Sequence, residues 1–350
     1  MNYSSIINGK NILITGGTGS FGYQIVKELR QYRPKKIIIF SRDENKQHIM
    51  KQELHDEKIS KITTYVIGDV RDYSRLHTVC AGIDVVFHAA ALKQVPSAEL
   101  YPLEAVNTNI IGSHNLVRAA IERGVKHVVA ISTDKAVKPV NAMGMTKALQ
   151  EKIFRSSQYE KNKTIFCSVR YGNVLGSRGS VIPLWDTKIS KKQPLPVTHP
   201  DMTRFLLTLH DAIQLVFYAL KNARGGEIFV RKAPTARIVD LAKAYAEIIT
   251  KKKNYPIEFV GIRPGEKIHE ILISEEEMRF ARSQKDHYII GIENYEYDQT
   301  STKKSLSFKE YDSGSKKFMT INQLKKLMKE QNWVKSVSYT HLTLPTSDLV

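Results

Sequence analysis

Short apolar runs alternate with helical patterns along the first half of the chain. Residues 11–15, Asn-Ile-Leu-Ile-Thr, are apolar at successive positions and stop at a pair of glycines. That is the pattern of a strand buried on both faces, as in a parallel sheet. Beyond the glycines, Phe21, Ile25, Val26 and Leu29 recur at helical spacing and predict a helix over 21–31. Residues 36–40, 63–67, 84–88, 125–132 and 164–170 predict further strands, with helices over 106–123 and 147–160. Strand and helix in alternation predict an α/β fold built on a doubly wound parallel sheet.

The alternation breaks down after about Gly179. Pro183, Pro194, Pro196 and Pro200 predict a loop-rich stretch, because proline neither donates to a ladder nor fits a helix interior. A helix over 209–222 is expected to pack back on the sheet with its surroundings, 205–232. From Ile238 onward a smaller α/β lobe is expected. The chain thus divides into a first domain over 1–180 and a second lobe mainly over 181–335. Residues 336–350 hold no lysine and no helical period, and read as a tail foreign to the fold. Ligands of open α/β sheets bind outside the carboxyl ends of the strands, so the crevice between the two parts is the expected site.

Composition is ordinary for a globular protein, at 42% hydrophobic and 25% charged. No apolar run is long enough to span a bilayer, and the polar first ten residues lack a secretion signal's apolar core. A cytoplasmic protein is expected. The net charge of +18 raises the question of nucleic acid. Its lysines are dispersed, as in Lys35-Lys36, Lys191-Lys192 and Lys251-Lys252-Lys253, and not gathered in a patch among aromatics. That argues against nucleic acid and leaves an anionic cofactor and substrate as the partners for a few of them. Cys80 and Cys167 lie in apolar sequence and are expected to be buried thiols, not a disulfide. No bound metal is expected.

Gly16-x-x-Gly19-x-x-Gly22 falls between the first strand and the first helix, where a Rossmann-type sheet binds a dinucleotide. Gly16 permits the tight turn, Gly19 lets backbone approach a pyrophosphate, and Gly22 lets helix and strand pack closely. Thr18, Ser20 and Phe21 complete the loop and the helix start, whose N–H groups face the phosphates. Ser41, Arg42 and Asp43 end the second strand. An acid there would hold a ribose 2′-hydroxyl, and an arginine would accommodate a 2′-phosphate. Arg42, with Ser41 and Lys46, argues for NADP; Asp43 leaves NAD open. Asp69 and Val70 follow the third strand, where adenine is read. Ala89 and Ala90 follow the fourth, where small side chains admit the cofactor, and His88 beside them reads as a packed strand-end residue.

Ser132, Thr133, Asp134 and Lys135 follow the fifth strand, and Met143 and Lys147 lie four residues apart on one helical face. An acid, an amine and a hydroxyl beside a nicotinamide are acid/base equipment. Sites built this way usually carry Tyr-x-x-x-Lys. Met143 stands at the tyrosine position and cannot move a proton, whereas Lys147 is placed to bind the nicotinamide ribose.

At this point the chain resembles the inverting nucleotide-sugar 4,6-dehydratases of the extended short-chain dehydrogenase/reductase superfamily, from about residue 8 to about residue 333. The resemblance is carried by Leu13-Ile-Thr-Gly-Gly-Thr-Gly-Ser-Phe-Gly22, His88-Ala-Ala-Ala-Leu-Lys-Gln-Val-Pro96 and Ser132-Thr-Asp-Lys-Ala136. It continues in Arg170-Tyr-Gly-Asn-Val174, Ser177-Arg-Gly-Ser-Val181, Met202-Thr-Arg-Phe205 and Ile262-Arg-Pro-Gly-Glu-Lys267. It implies an NADP-dependent lyase that removes water from UDP-N-acetylglucosamine with inversion at C5, in capsule, O-antigen or flagellin-glycan synthesis. Met143 matches the capsule and O-antigen enzymes; Arg-Pro-Gly-Glu-Lys matches the flagellin type.

The resemblance also implies site roles. Lys93, Asn173 and Val174, with Ser177 and Arg178, would meet the substrate, Lys93 reaching the cofactor as well. Arg204 and Arg263 would grip the UDP diphosphate, with Glu266 nearby; an arginine fork suits phosphate oxygens. Water elimination would proceed by oxidation at C4, deprotonation at C5, loss of the C6 hydroxyl and hydride return to C6. Lys135 would be the base, its pKa lowered by Lys147 and burial, Asp134 the acid and Thr133 an orienting partner. A homo-oligomer, dimer or hexamer, is implied. The alternatives are a UDP-sugar 4-epimerase or a C5-retaining dehydratase on the same scaffold, and a non-catalytic NADP-binding regulator.

Overall fold

The six predicted strands form as β1 (Asn11–Thr15), β2 (Lys36–Ser41), β3 (Thr63–Ile67), β4 (Val85–His88), β5 (His127–Ile131) and β6 (Ile165–Arg170). The computed structural model describes residues 2–54, 57–160, 162–176, 180–291, 308–315 and 317–330. Among the described residues the sheet has nine strands, in the order β3-β2-β1-β4-β5-β6, followed by Ile228–Arg231, His287–Ile290 and Ala281–Ser283. The six labelled strands and Ile228–Arg231 run parallel, and His287–Ile290 opposes them. The chain winds outward from β1 through β3, then returns to place β4 on the other side of β1. That reversal opens a crevice at the carboxyl ends of β1 and β4.

The apolar runs bury both faces, as the strand pattern predicts. Ile12 and Ile14 join one core with Ile25, Val26 and Phe217. Leu13 joins the other with Val86, Leu116 and Phe166. Helices Ser20–Leu29 and Leu209–Asn222 cover the first face, and Gly112–Glu122 covers the second. Cys80 and Cys167 are buried free thiols, and burial pushes Cys80 up to about 12.

Three elements differ from expectation. The helix predicted over 106–123 opens as a π-helix, Val106–Ile111, before the α-helix Gly112–Glu122. The helix predicted over 147–160 begins earlier, at Ala142–Ser156, because Asn141 caps it by accepting from the Gly144 N–H at 2.7 Å. The proline-rich stretch contains the helix Val181–Ser190, with Pro183 in the first turn, where no intrahelical donor is needed. That helix, Ile238–Thr250 and Ile321–Glu330 enclose a third core around Trp185, Leu241, Tyr245 and Leu324. Short strands link this part to the sheet: Thr203–Leu207 pairs with Thr235–Arg237 and with Asn173–Val174. Residues 336–350 lie outside the described residues. Among the described residues, no helix is long and apolar enough to cross a membrane.

Candidate active site

The glycine loop packs backbone against backbone at the end of β1. Gly16 has φ +64°, and a Cβ there would lie 2.7 Å from the Ala90 nitrogen and 2.8 Å from the Ala89 oxygen. The ends of β1 and β4 therefore touch through backbone alone. A Cβ on Gly22 would lie 1.8 Å from the Gly17 oxygen, so only glycine lets this helix lie so close to the loop. Gly19 caps the helix Ser20–Leu29 and donates its N–H to the Gly16 oxygen at 3.0 Å. Gly16, Gly19, Ser20, Phe21 and Ala89 line a cavity of about 920 Å³. Thr18, Gly22 and Ala90 sit behind that wall.

At the end of β2, Ser41 is buried and accepts from Gln47 Nε2 at 3.0 Å. Asp43 is committed locally: it caps the helix Glu44–Glu53 through the Lys46 N–H at 2.9 Å and pairs with Lys46 Nζ at 2.7 Å. Arg42 stays exposed, with Nη1 3.6 Å from Asp69. Asp69 is partly buried, yet Arg71 and Arg42 hold its carboxyl below the usual range. Val70 is buried against Gly112. These groups flank the cavity and do not line it.

After β5 the chain turns through a short 3-10 helix, Asp134–Ala136, capped by Thr133. Thr133 Oγ1 donates to Asp134 Oδ1 at 2.9 Å. Lys135 Nζ lies 3.0 Å from Asp134 Oδ1 and 3.1 Å from Glu270 Oε1, and Arg204 Nε lies 3.6 Å from the same Glu270 oxygen. The Asp134 and Glu270 side chains are 1% and 2% exposed, so this is a buried cluster of two anions and two cations. Burial and the neighbouring Glu270 raise Asp134 against the pull of Lys135. Burial would raise Glu270 too, but Lys135 and Arg204 hold it low.

Lys135 corrects an expectation. A base needs a lowered pKa, and burial acts in that direction, but Asp134 and Glu270 outweigh it and raise the ammonium. Lys147 is engaged elsewhere, with Nζ donating to the Ile131 carbonyl and to Gln150 Oε1. Burial lowers Lys147 to about 8. Lys135 is thus a fixed cation, and Asp134 is the group whose environment favours taking up a proton.

Ser132, Met143, Lys147 and Lys93 share the cavity wall, with Met143 packed against Ala98 and Ala105. Asn173, Val174, Arg204, Arg263 and Glu266 also line the cavity, with residues of the third core. Arg204 is partly committed, since Nη1 donates to the Thr203 and Ile268 carbonyls at 2.7 and 3.1 Å. Arg263 is exposed on a turn made by Gly265 at φ +78°. Ser177 and Arg178 lie outside the described residues. Glu270 was missed in the sequence. Its only signal is an acid directly before the apolar strand Ile271–Ile273, a place where a charge has no local use. Among the described residues, no cluster of side chains could hold a metal ion.

Residues 12–292 match a family described as polysaccharide biosynthesis protein. A Rickettsia bellii (strain RML369-C) protein named UDP-glucose 4-epimerase is 44% identical over 341 residues, 93% of this chain and 97% of that one. The X-ray structure of Pen from Bacillus thuringiensis matches with a TM-score of 0.85 at 38% identity, over 93% of this chain and 99% of that one. A dTDP-glucose 4,6-dehydratase double mutant, DesIV of Streptomyces venezuelae, with NAD bound, shares the fold with a TM-score of 0.67 at 20% identity, over 74% and 86%. The expectation of a lyase is corrected by the first of these. A relative so similar over nearly its whole length is named an epimerase, which is an isomerase and not a hydro-lyase.

Proposed function

The chain belongs to the polysaccharide biosynthesis protein family, and we propose that it is a UDP-sugar 4-epimerase working through a transient ketone at C4. The observation that carries this reading is the buried Thr133–Asp134–Lys135–Glu270 cluster in the wall of the cavity that also holds the glycine loop and Lys147. The residues present fit a nicotinamide dinucleotide: a Cβ on Gly16 would strike Ala89 and Ala90 and one on Gly22 the Gly17 backbone, so only glycines let the strand end and helix start close up into a backbone-lined loop. When bound, that cofactor supplies a hydride acceptor and returns the hydride.

The chain's own groups handle binding and the proton. The start of the helix Ser20–Leu29 would hold a pyrophosphate, and Lys147, which lines the same cavity, would bind a ribose hydroxyl. Oxidation at C4 requires the O4 proton to leave. Thr133 Oγ1 already donates to Asp134, so a sugar O4–H that donates to Thr133 passes its proton on to the carboxylate in one shift. Lys135 stays charged beside it and offsets the anion that develops on O4. Reversal from the other face of the ketone gives the epimer, and no atom is lost. Met143 shapes the wall and moves no proton.

Finer assignments complete the reading. Residues 1–180, with the returning segment 205–232, hold the cofactor, and 181–335 hold mainly the substrate. Arg42 is exposed and held only by a 3.6 Å contact to Asp69, while Asp43 is committed to Lys46, which supports NADP over NAD. Lys93, Arg204 and Arg263 face a UDP diphosphate, and UDP-N-acetylglucosamine is the proposed sugar nucleotide.

The test is incubation of the purified protein with UDP-N-acetylglucosamine and, separately, UDP-glucose, read by NMR at C4 and by mass spectrometry. A mixture of C4 epimers at unchanged mass, with no steady release of reduced cofactor, is expected. Loss of one water from either sugar would overturn the epimerase.

A further inference from the structure

Lys147 is 6% exposed, and among the described residues nothing acidic is bonded to it. An ammonium has three protons. Two go to the Ile131 carbonyl and to Gln150 Oε1, which leaves the third for the cavity that Lys147 lines. Gln150 is 1% exposed, and its Nε2 donates to Ser113 Oγ at 2.7 Å. Ser113 gives its single proton to the Asn109 carbonyl at 2.6 Å, so toward Gln150 it can only accept. The amide of Gln150 therefore has one orientation, oxygen toward Lys147.

The chain continues to the glycine loop. Ser113 Oγ also lies 3.1 Å from His88 Nε2, and having no proton left it accepts there too. His88 is thereby the Nε2–H tautomer, and Nδ1 accepts from Thr15 Oγ1 at 2.7 Å. Burial, with Lys147 nearby, holds His88 neutral, with a pKa near 3. Thr15 is the last residue of β1, directly before Gly16. The π-helix places the anchor: Asn109 lends its carbonyl to Ser113, while its side chain clamps Leu92 N and O at 2.8 and 3.0 Å and Thr146 at 2.9 Å.

We propose that Gln150, oriented by Ser113 and His88, is a positioning residue that aims Lys147 and sets the pH above which the chain loses its grip on the dinucleotide. The inference rests on the reading above only in taking Lys147 as a cofactor ligand. A neutral acceptor stands where a glutamate would hold the lysine charged. The charged group facing Lys147 from its own helix is Glu151, whose carboxylate is taken by Arg170 at 3.0 Å. From β4 the facing titratable group is His88, which is neutral. A cation with no anion of its own in a buried site loses its proton early.

The experiment is NADPH binding, read by nucleotide fluorescence from about pH 7 to about pH 10, for the wild type, Gln150→Glu and Gln150→Met. Wild-type affinity should fall about tenfold over this range as Lys147 deprotonates. A carboxylate at position 150 should move the fall up by about one pH unit or more; a thioether should move it down and weaken binding at neutral pH. Coincident profiles for the three proteins would overturn the proposal. If Gln150→Met does not fold, Gln150→Glu decides alone, and an unmoved midpoint overturns it. Binding is read without a sugar, so a failure of the epimerase reading leaves this result intact.

Discussion

Two carboxylates and two cations share the space beside Thr133, and their balance decides who carries the proton. Glu270 keeps Lys135 charged and raises Asp134, so it tunes both partners without itself lining up in the Thr-Asp-Lys motif. Glu270→Gln keeps the shape and removes the anion. Asp134 loses a like-charged neighbour and its pKa falls; Lys135 loses an opposite charge and its pKa falls too. Activity needs Asp134 ionised and Lys135 protonated, so both limbs of the kcat/KM profile should move to lower pH. A profile with limbs where the wild type has them would separate Glu270 from the chemistry. That Asp134 and Lys147 line the cavity was legible in the sequence because it follows from position after a strand and along a helix. Glu270 was not, because its meaning comes from a lysine far away in the sequence that only the fold brings within 3.1 Å.

The elements were legible wherever one local rule decided them. β1 keeps its predicted bounds because a buried parallel strand needs apolar side chains on both faces. The π-helix at Val106–Ile111 was hidden, since one extra residue per turn barely changes a helical pattern. The helix at Val181–Ser190 was masked by Pro183, which marks a loop in a helix interior but fits a first turn. The glycine loop allows a quantitative check. Gly22→Ala drives a methyl against the Gly17 backbone, whereas Gly82 has φ +71° and open space around its missing Cβ. Gly82→Ala should cost about 1–2 kcal/mol, the strain of a left-handed alanine. Gly22→Ala should cost about 3 kcal/mol through overpacking, and should weaken NADPH binding as well. Urea unfolding of the two variants gives the comparison; equal costs would mean the helix start can shift freely away from the loop.

At the scale of the whole molecule, the cavity depends on holding the segment that carries Glu270 against the sheet. Alternating strands and helices made the sheet legible, but no local pattern says how the later segments return to it. Arg170, at the end of β6, makes that connection while fully buried. Its Nε donates to Glu151 at 3.0 Å, and Nη1 and Nη2 reach Glu277 at 2.8 and 2.9 Å. Nη1 also donates to the Leu272 carbonyl at 2.9 Å, close in sequence to Glu270. Arg170→Met fills similar space but leaves two buried carboxylates without their cation. Breaking a buried pair on one side costs about 3–5 kcal/mol. The pH dependence has a definite sign. Burial would raise Glu277, but Arg170 holds it below the ordinary glutamate value. Its stabilising share is therefore present above the unfolded-state pKa and lost as pH falls through the folded one. In Arg170→Met burial is left unopposed at Glu277, so that carboxyl takes a proton more readily and stops opposing the fold as the solution is acidified. The gap in unfolding free energy between wild type and variant should be largest near neutral pH and shrink toward about pH 4.5, measured by urea unfolding at both values. A gap that does not change with pH would mean that Arg170 holds the later segments by packing and its bond to Leu272, with no contribution from its charge.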